Sequence, residues 1–125
     1  MDIFEKKKFV NVSYPISELA YEIGREIYRL RRAKGITGKE FAKMIKVSQQ
    51  QISRYERGLC YMNFDIFLLS LYHLDDNLDN FFLKVWDKLN ERNIKEYRKY
   101  GPVFNSLKII NEFSAHFSES FCKNN

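Results

Sequence analysis

The sequence predicts an all-α protein: five helices in one domain and an additional helix at the C-terminal end. Three observations carry that expectation. Apolar residues recur at steps of three and four along most of the chain, the period of one helix face. Residues that cap helices precede these stretches (Ser17, Thr37, Ser48, Asn63), and Gly35 and Gly58 close two of them. No run alternates with the period of two that a half-buried strand requires.

Taken in order, residues 1–16 form an arm in which Lys6-Lys7-Lys8 precedes a mixed stretch ending at Pro15. Pro15 breaks the chain before the first helix. Ser17 caps that helix, Glu18 suits its first turn, and Leu19, Ala20, Ile23, Ile27 and Leu30 form its apolar stripe. Arg31, Arg32 and Lys34 load its last turn, and Gly35 stops it. Thr37 opens the second helix, with Glu40 three residues on as a capping box. Phe41, Ala42 and Ile45 are its buried face, Lys46-Val47 the turn, and Ser48 the next cap. On the third helix Gln49, Gln50, Ser53, Arg54 and Arg57 share a broad polar face, opposite Ile52 and Tyr55. Gln51 leans towards the packing side.

Asn63 caps a fourth helix that is apolar almost all round (Phe64, Ile66, Phe67, Leu68, Leu69, Leu71) and is therefore expected to be largely buried. Asp75-Asp76-Asn77 is a turn. A fifth helix is expected over residues 78–92, with Phe81, Phe82, Val85, Trp86 and Leu89 facing inwards. Gly101-Pro102 is expected to break the chain. Beyond it, Val103, Leu107, Ile110, Phe113, Phe117 and Phe121 recur at helical spacing. The expected organisation is an arm (1–16), a domain (17–92) and a C-terminal helical extension (93–125) that serves dimerisation. That last stripe either folds back on the core or packs against a second copy. The aromatics already available to fill one small core favour the second copy.

Net charge is +5 over 125 residues, and its distribution is uneven. Residues 17–58 carry ten Lys/Arg against five Glu, whereas residues 59–92 carry three against six acidic residues. The positive excess thus falls on the segment with the glutamine-rich helix, where basic groups would meet phosphates and release counterions. Glutamine amides match both polar groups on one edge of adenine, and arginine forks match guanine. A short helix offering these groups from its first turn is suited to a DNA major groove. The expected base contacts are Gln49, Gln50, Ser53 and Arg54. The expected phosphate contacts are Thr37, Lys39, Lys43, Lys46, Ser48 and Arg57. The Lys6–Lys8 run is either a minor-groove arm or a solvated tail.

The segment Thr37–Gly58 resembles the Cro/C1-type (XRE) helix-turn-helix family. The resemblance rests on Ala42 in the second turn of a capped helix, Val47-Ser48 ending the turn, and Tyr55-Glu56-Arg57-Gly58. It spans roughly residues 19–82 and implies a five-helix lambda-repressor-like domain acting on an operator, commonly as a dimer. The fuller string Ser48–Gly58 is similar to a narrower group, the motility repressors encoded with enterobacterial fimbrial operons. The resemblance also implies that Arg31, late in helix one, pairs with Glu56. Two positions depart from the pattern. Gly38 stands where a phosphate-fixing glutamine is usual, which leaves Lys39 as the replacement. Lys46 stands where the turn usually has glycine. That requires either a strained left-handed lysine or a turn of different shape.

Several classes are disfavoured. His73 and His116 lack metal-ligand spacing, and Asp75, Asp76 and Asp79 read as capping residues rather than a calcium site. No phosphate-cradling glycine loop or nucleophile with a nearby base is present, so no enzyme, cofactor, metal or small-molecule ligand is expected. Cys60 and Cys122, without CxxC spacing, read as reduced thiols of a cytoplasmic protein. No apolar run approaches the roughly 20 residues that span a bilayer. The expected partners are a double-stranded DNA operator and a second copy of the chain. The alternative is an antitoxin-like DNA-binding module whose C-terminal tail sequesters a protein partner.

Overall fold

The computed structural model describes residues 14–107. They form six helices and, among the described residues, no strand. These are α1 (Glu18–Ala33), α2 (Gly38–Ile45), α3 (Gln49–Glu56), α4 (Phe64–His73) and α5 (Leu78–Arg92), followed by α6 over residues 94–107. The Lys6–Lys8 run, Ile110, Phe113, His116, Phe117, Phe121 and Cys122 lie outside the described residues. The described residues divide into two compact units, one ending at Leu78 and the other beginning at Asp79, so the boundary falls at the start of α5.

Local chemistry sets both ends of the helices in the first unit. The side-chain oxygens of Ser17, Thr37, Ser48 and Asn63 each accept the backbone N–H three residues on, at 2.8–3.1 Å. Each such cap is worth about 1 kcal/mol. The four helices also close alike: a left-handed residue follows the last turn, and the next N–H folds back to a carbonyl five residues earlier. These bonds are Ile36 to Arg31, Val47 to Ala42, Leu59 to Arg54 and Asp76 to Leu71. Glycine takes the left-handed position at Gly35 and Gly58, but Lys46 (φ 59°) and Asp75 (φ 54°) take it in the other two. The α2–α3 turn therefore keeps a left-handed shape and places a lysine in it, at a cost of about 1 kcal/mol.

Phe41, Ala42 and Ile45 of α2 are buried together with Ile52 and Tyr55 of α3, Phe67 and Leu71 of α4, and Ala20 and Ile27 of α1. α2 packs on α3 and α4, and α1 packs on α3. Helix α1 corrects the expected stripe. Its covered face runs through Ala20, Gly24, Ile27 and Arg31, with Glu22 and Glu26 also buried. Leu19, Ile23 and Leu30 are only half-buried. The cause lies at Gly24. A Cβ there would sit 2.8 Å from the Glu56 carbonyl oxygen, and closer still to that of Tyr55. The last turn of α3 thus rests on bare α1 backbone, and the face with the smallest residue is the one most completely covered.

Helix α4 is also corrected: it is not buried all round. Phe67, Ser70 and Leu71 are buried, while Phe64 and Tyr72 are 67% and 75% exposed. A ten-residue helix packs by one face whatever its composition. Here that face includes Ser70, whose hydroxyl donates to the Ile66 carbonyl at 2.8 Å and is satisfied without water.

In the second unit Phe81, Val85, Trp86 and Leu89 of α5 are buried. Trp86 stacks on Tyr97 of α6 at 4.7 Å between ring centroids, and Phe104 lies 5.9 Å from Trp86 and 5.7 Å from Phe82. The expected break at Gly101-Pro102 does not occur, because α6 runs through both residues. Pro102 is exposed, so water can serve the carbonyl whose donor proline removes. Tyr97 and Phe104, seven residues apart on one helix face, hold the segment to Trp86 from both sides of the pair.

Two substitutions test this architecture by thermal or urea unfolding. Gly24→Ala is expected to destabilise by about 3 kcal/mol, because backbone carbonyls rather than movable side-chain ends meet the new methyl. Lys46→Gly is expected to stabilise by up to about 1 kcal/mol, the left-handed strain being relieved against a more flexible unfolded chain.

Candidate nucleic-acid interface

Helix α3 is built for presentation. Its cap at Ser48 sets the first turn, Ile52 and Tyr55 anchor one side in the core, and Gln49, Gln50, Ser53, Arg54 and Arg57 are exposed on the other. Gln51 is half-buried, and its amide donates to Cys60 Sγ at 3.2 Å, so it faces away from that surface. Lys39, Lys43 and Lys46 are exposed on α2 and the turn. The Thr37 hydroxyl is occupied: it donates to Glu40 Oε1 at 3.0 Å and accepts the Glu40 N–H. Ser48 Oγ accepts the Gln51 N–H, which leaves its own proton free to donate.

The orientation of α3 is set from its C-terminal end. Arg31 grips Glu56 with two parallel bonds, Nε to Oε2 at 2.7 Å and Nη2 to Oε1 at 3.0 Å, and its third donor reaches the Ile36 carbonyl at 2.8 Å. Both side chains are only 9% exposed. The hydrogen bonds to Glu56 raise the Arg31 pKa above its ordinary value, against a burial that lowers it. The Arg31 guanidinium therefore keeps its charge in this contact. Gly58 completes the clamp. Its N–H and that of Leu59 close α3, its carbonyl accepts the Ile16 N–H at 2.9 Å, and a Cβ on it would lie 2.8 Å from Tyr21 Cα.

An open cleft runs beside the exposed polar edge of α3. Thr37, Gln49, Ser53 and Arg57 line it, whereas Gln50, Arg54, Lys39, Lys43 and Lys46 lie outside it. Its far wall is α1, which contributes Arg25, Tyr28 and Arg32. None of these three was expected from the sequence to be a contact residue, although Arg32 was named among the basic residues of the last turn of α1. The available signal was their spacing of three and four along α1, away from the covered face. Among the described residues no group of three His, Cys, Asp or Glu is placed to hold a metal ion. The exposed groups offer hydrogen-bond donors, amide acceptors and positive charge.

A capped helix, a left-handed turn and a second helix clamped by its end define a helix-turn-helix. Comparison with known proteins agrees: residues 27–71 match the Helix-turn-helix family model HTH_3. Over 60 residues the chain is 38% identical to an uncharacterized HTH-type transcriptional regulator of Rickettsia conorii, and equally to one of Rickettsia prowazekii. The matched region is 48% of this chain, 48% of the first relative and 46% of the second, so the likeness spans about half of each protein. Among solved structures, two of the clp gene regulator ClgR from Corynebacterium glutamicum share the fold. One has a TM-score of 0.59 at 20% identity over 70% of this chain and 95% of that one. The other has 0.51 at 22% over 54% and 86%.

Removing one partner of the clamp leaves a buried charge without compensation. Glu56→Ala is expected to cost about 3 kcal/mol in an unfolding titration, with Glu56→Gln less costly because one bond to Arg31 survives.

Proposed function

We propose that the chain is a sequence-specific DNA-binding transcriptional regulator that reads the major groove with α3. One observation carries this reading: Gln49, Gln50 and Arg54 are exposed together on a short helix whose opposite face is buried and whose end is clamped to α1. Side chains that read bases must be held in register, and a rigidly seated helix supplies that. Ser53 joins them as a base contact. Lys39, Lys43, Lys46, Ser48 and Arg57 serve the phosphates flanking the groove, and Thr37 does so through its backbone, since its hydroxyl is engaged by Glu40. The relatives named as HTH-type transcriptional regulators support the same class.

In this reading the protein works in the cytoplasm as a homodimer and represses by covering its operator. A two-fold dimer would place the two copies of α3 about 34 Å apart, one DNA turn. The aromatic stripe beyond Val103 supplies material for the contact. The similarity of Ser48–Gly58 to the fimbrial-operon motility repressors suggests fimbrial and flagellar genes as targets.

Alanine at Gln49, Gln50 and Arg54 is expected to remove about 1–3 kcal/mol of discrimination per bidentate contact, while nonspecific binding and the fold persist. Genome-wide mapping of bound DNA, with the wild-type chain and the triple variant, checks both the contacts and the target genes. An unchanged footprint for the variant would refute the base-reading role. Light scattering that finds a monomer, with a footprint over one half-site, would refute the dimer.

A further inference from the structure

Helix α4 leaves one apolar face in water. Phe64, Leu68 and Tyr72 stand four residues apart, so they share a stripe, and they are 67%, 40% and 75% exposed. Single apolar side chains are common on surfaces, but a contiguous set marks a contact site. Tyr61, three residues before Phe64, is exposed too, as is Ile16. The face is also acidic. Asp65, three residues before Leu68 and so beside it on the helix surface, is exposed and forms no ion pair among the described residues. Residues 59–78 contain three Asp and no Lys or Arg. Of the three, Asp75 is taken by Lys34.

A segment of complementary chemistry belongs to the same chain. Residues 1–13 precede the described ones. They carry Lys6-Lys7-Lys8 between two apolar pairs, Ile3-Phe4 and Phe9-Val10. The point where they join the fold is fixed. The Ile16 N–H donates to the Gly58 carbonyl at 2.9 Å, and the Ser17 and Tyr61 hydroxyls are bonded at 2.8 Å. The chain therefore enters beside the connection that leads into α4. From Tyr14, ten extended residues span about 33 Å, whereas Phe64 to Tyr72 covers about 12 Å of helix. Tethering also raises the local concentration to roughly millimolar, so a contact too weak for a separate partner forms within the chain. A second copy on this face would instead set one acidic surface against another.

We infer that residues 3–10 dock on α4 of their own chain. The two apolar pairs cover Phe64, Leu68 and Tyr72, and the lysine run meets Asp65. In the DNA-free chain that run is then neither a solvated tail nor a free minor-groove arm. The inference does not depend on the DNA-reading role of α3.

The test is paramagnetic NMR on the full chain, with Cys60→Ser and Cys122→Ser so that Glu5→Cys alone carries a nitroxide. Signals of Phe64, Leu68 and Tyr72 are expected to lose most of their intensity, and those of Lys39 and Lys43 on α2 to keep theirs. Phe4→Ser with Phe9→Ser should abolish the loss. Phe64→Ser with Tyr72→Ser should do the same at Leu68, and replaces the first pair if circular dichroism shows that pair to melt early. Asp65→Lys should reduce the loss, and adding Lys6→Glu, Lys7→Glu and Lys8→Glu to it should bring the loss back. A second sample mixes nitroxide-bearing chains with isotope-labelled chains that lack the nitroxide. No loss is expected there, and a loss of the same size would show that the face is covered by a second copy and overturn the inference. Full-intensity α4 signals in the first sample would also overturn it, as would a loss that survives both serine pairs.

Discussion

The close seating of α3 on α1 is the constraint on which the rest of this structure depends. Helix α3 has eight residues, and a helix of that length is not stable alone in water. Three contacts fix its C-terminal end to α1: bare backbone at Gly24 against the Tyr55 and Glu56 carbonyls, Gly58 against Tyr21, and the buried Arg31–Glu56 pair. The first two admit no side chain at either glycine, and the third sets an angle as well as a distance, because a two-bond guanidinium–carboxylate pair is planar. The polar face of α3 is therefore aimed by groups that are not part of that face.

The turn between α2 and α3 shows a different compromise. Its left-handed residue is a lysine, although glycine would adopt that conformation without strain. The cost is small against the burial of Phe41, Ile45 and Ile52 on either side, so the fold tolerates it. The exchange places an exposed positive charge next to the cap of α3. Asp75 repeats the same conformation at the end of α4, where its carboxylate pairs with Lys34 beyond the end of α1. In both cases a non-glycine residue in a strained turn supplies charge at the surface.

The second unit is held by a different kind of interaction. Trp86, Tyr97, Phe82 and Phe104 form a chain of ring contacts between α5 and α6, and the Trp86 indole N–H finds the Tyr97 carbonyl at 3.4 Å. Aromatic stacking across two helices outweighs the local preference of Gly101-Pro102 to end one.

What the sequence determined by itself was what short-range chemistry controls. Capping oxygens at Ser17, Thr37, Ser48 and Asn63, the glycines at 35 and 58, and the period of the apolar residues were enough to place five helices and to separate the polar face of α3 from Ile52 and Tyr55. Each depends on groups within about one helical turn, so the order of residues contains the answer. The pairing of Arg31 with Glu56, 25 residues apart, was legible only through a family resemblance. The tertiary structure alone decided the rest. Which face of α1 is covered followed from how closely α3 could approach Gly24, not from where the largest aliphatics stood. Which face of α4 is buried followed from packing on α2, which left Phe64 and Tyr72 in water. Helix α6 continues through Pro102 because rings distant in sequence hold it. The placement of Arg25, Tyr28 and Arg32 opposite α3 across a cleft required the crossing of two helices. Residues separated by a turn, a helix and another turn become neighbours only once the backbone path is known.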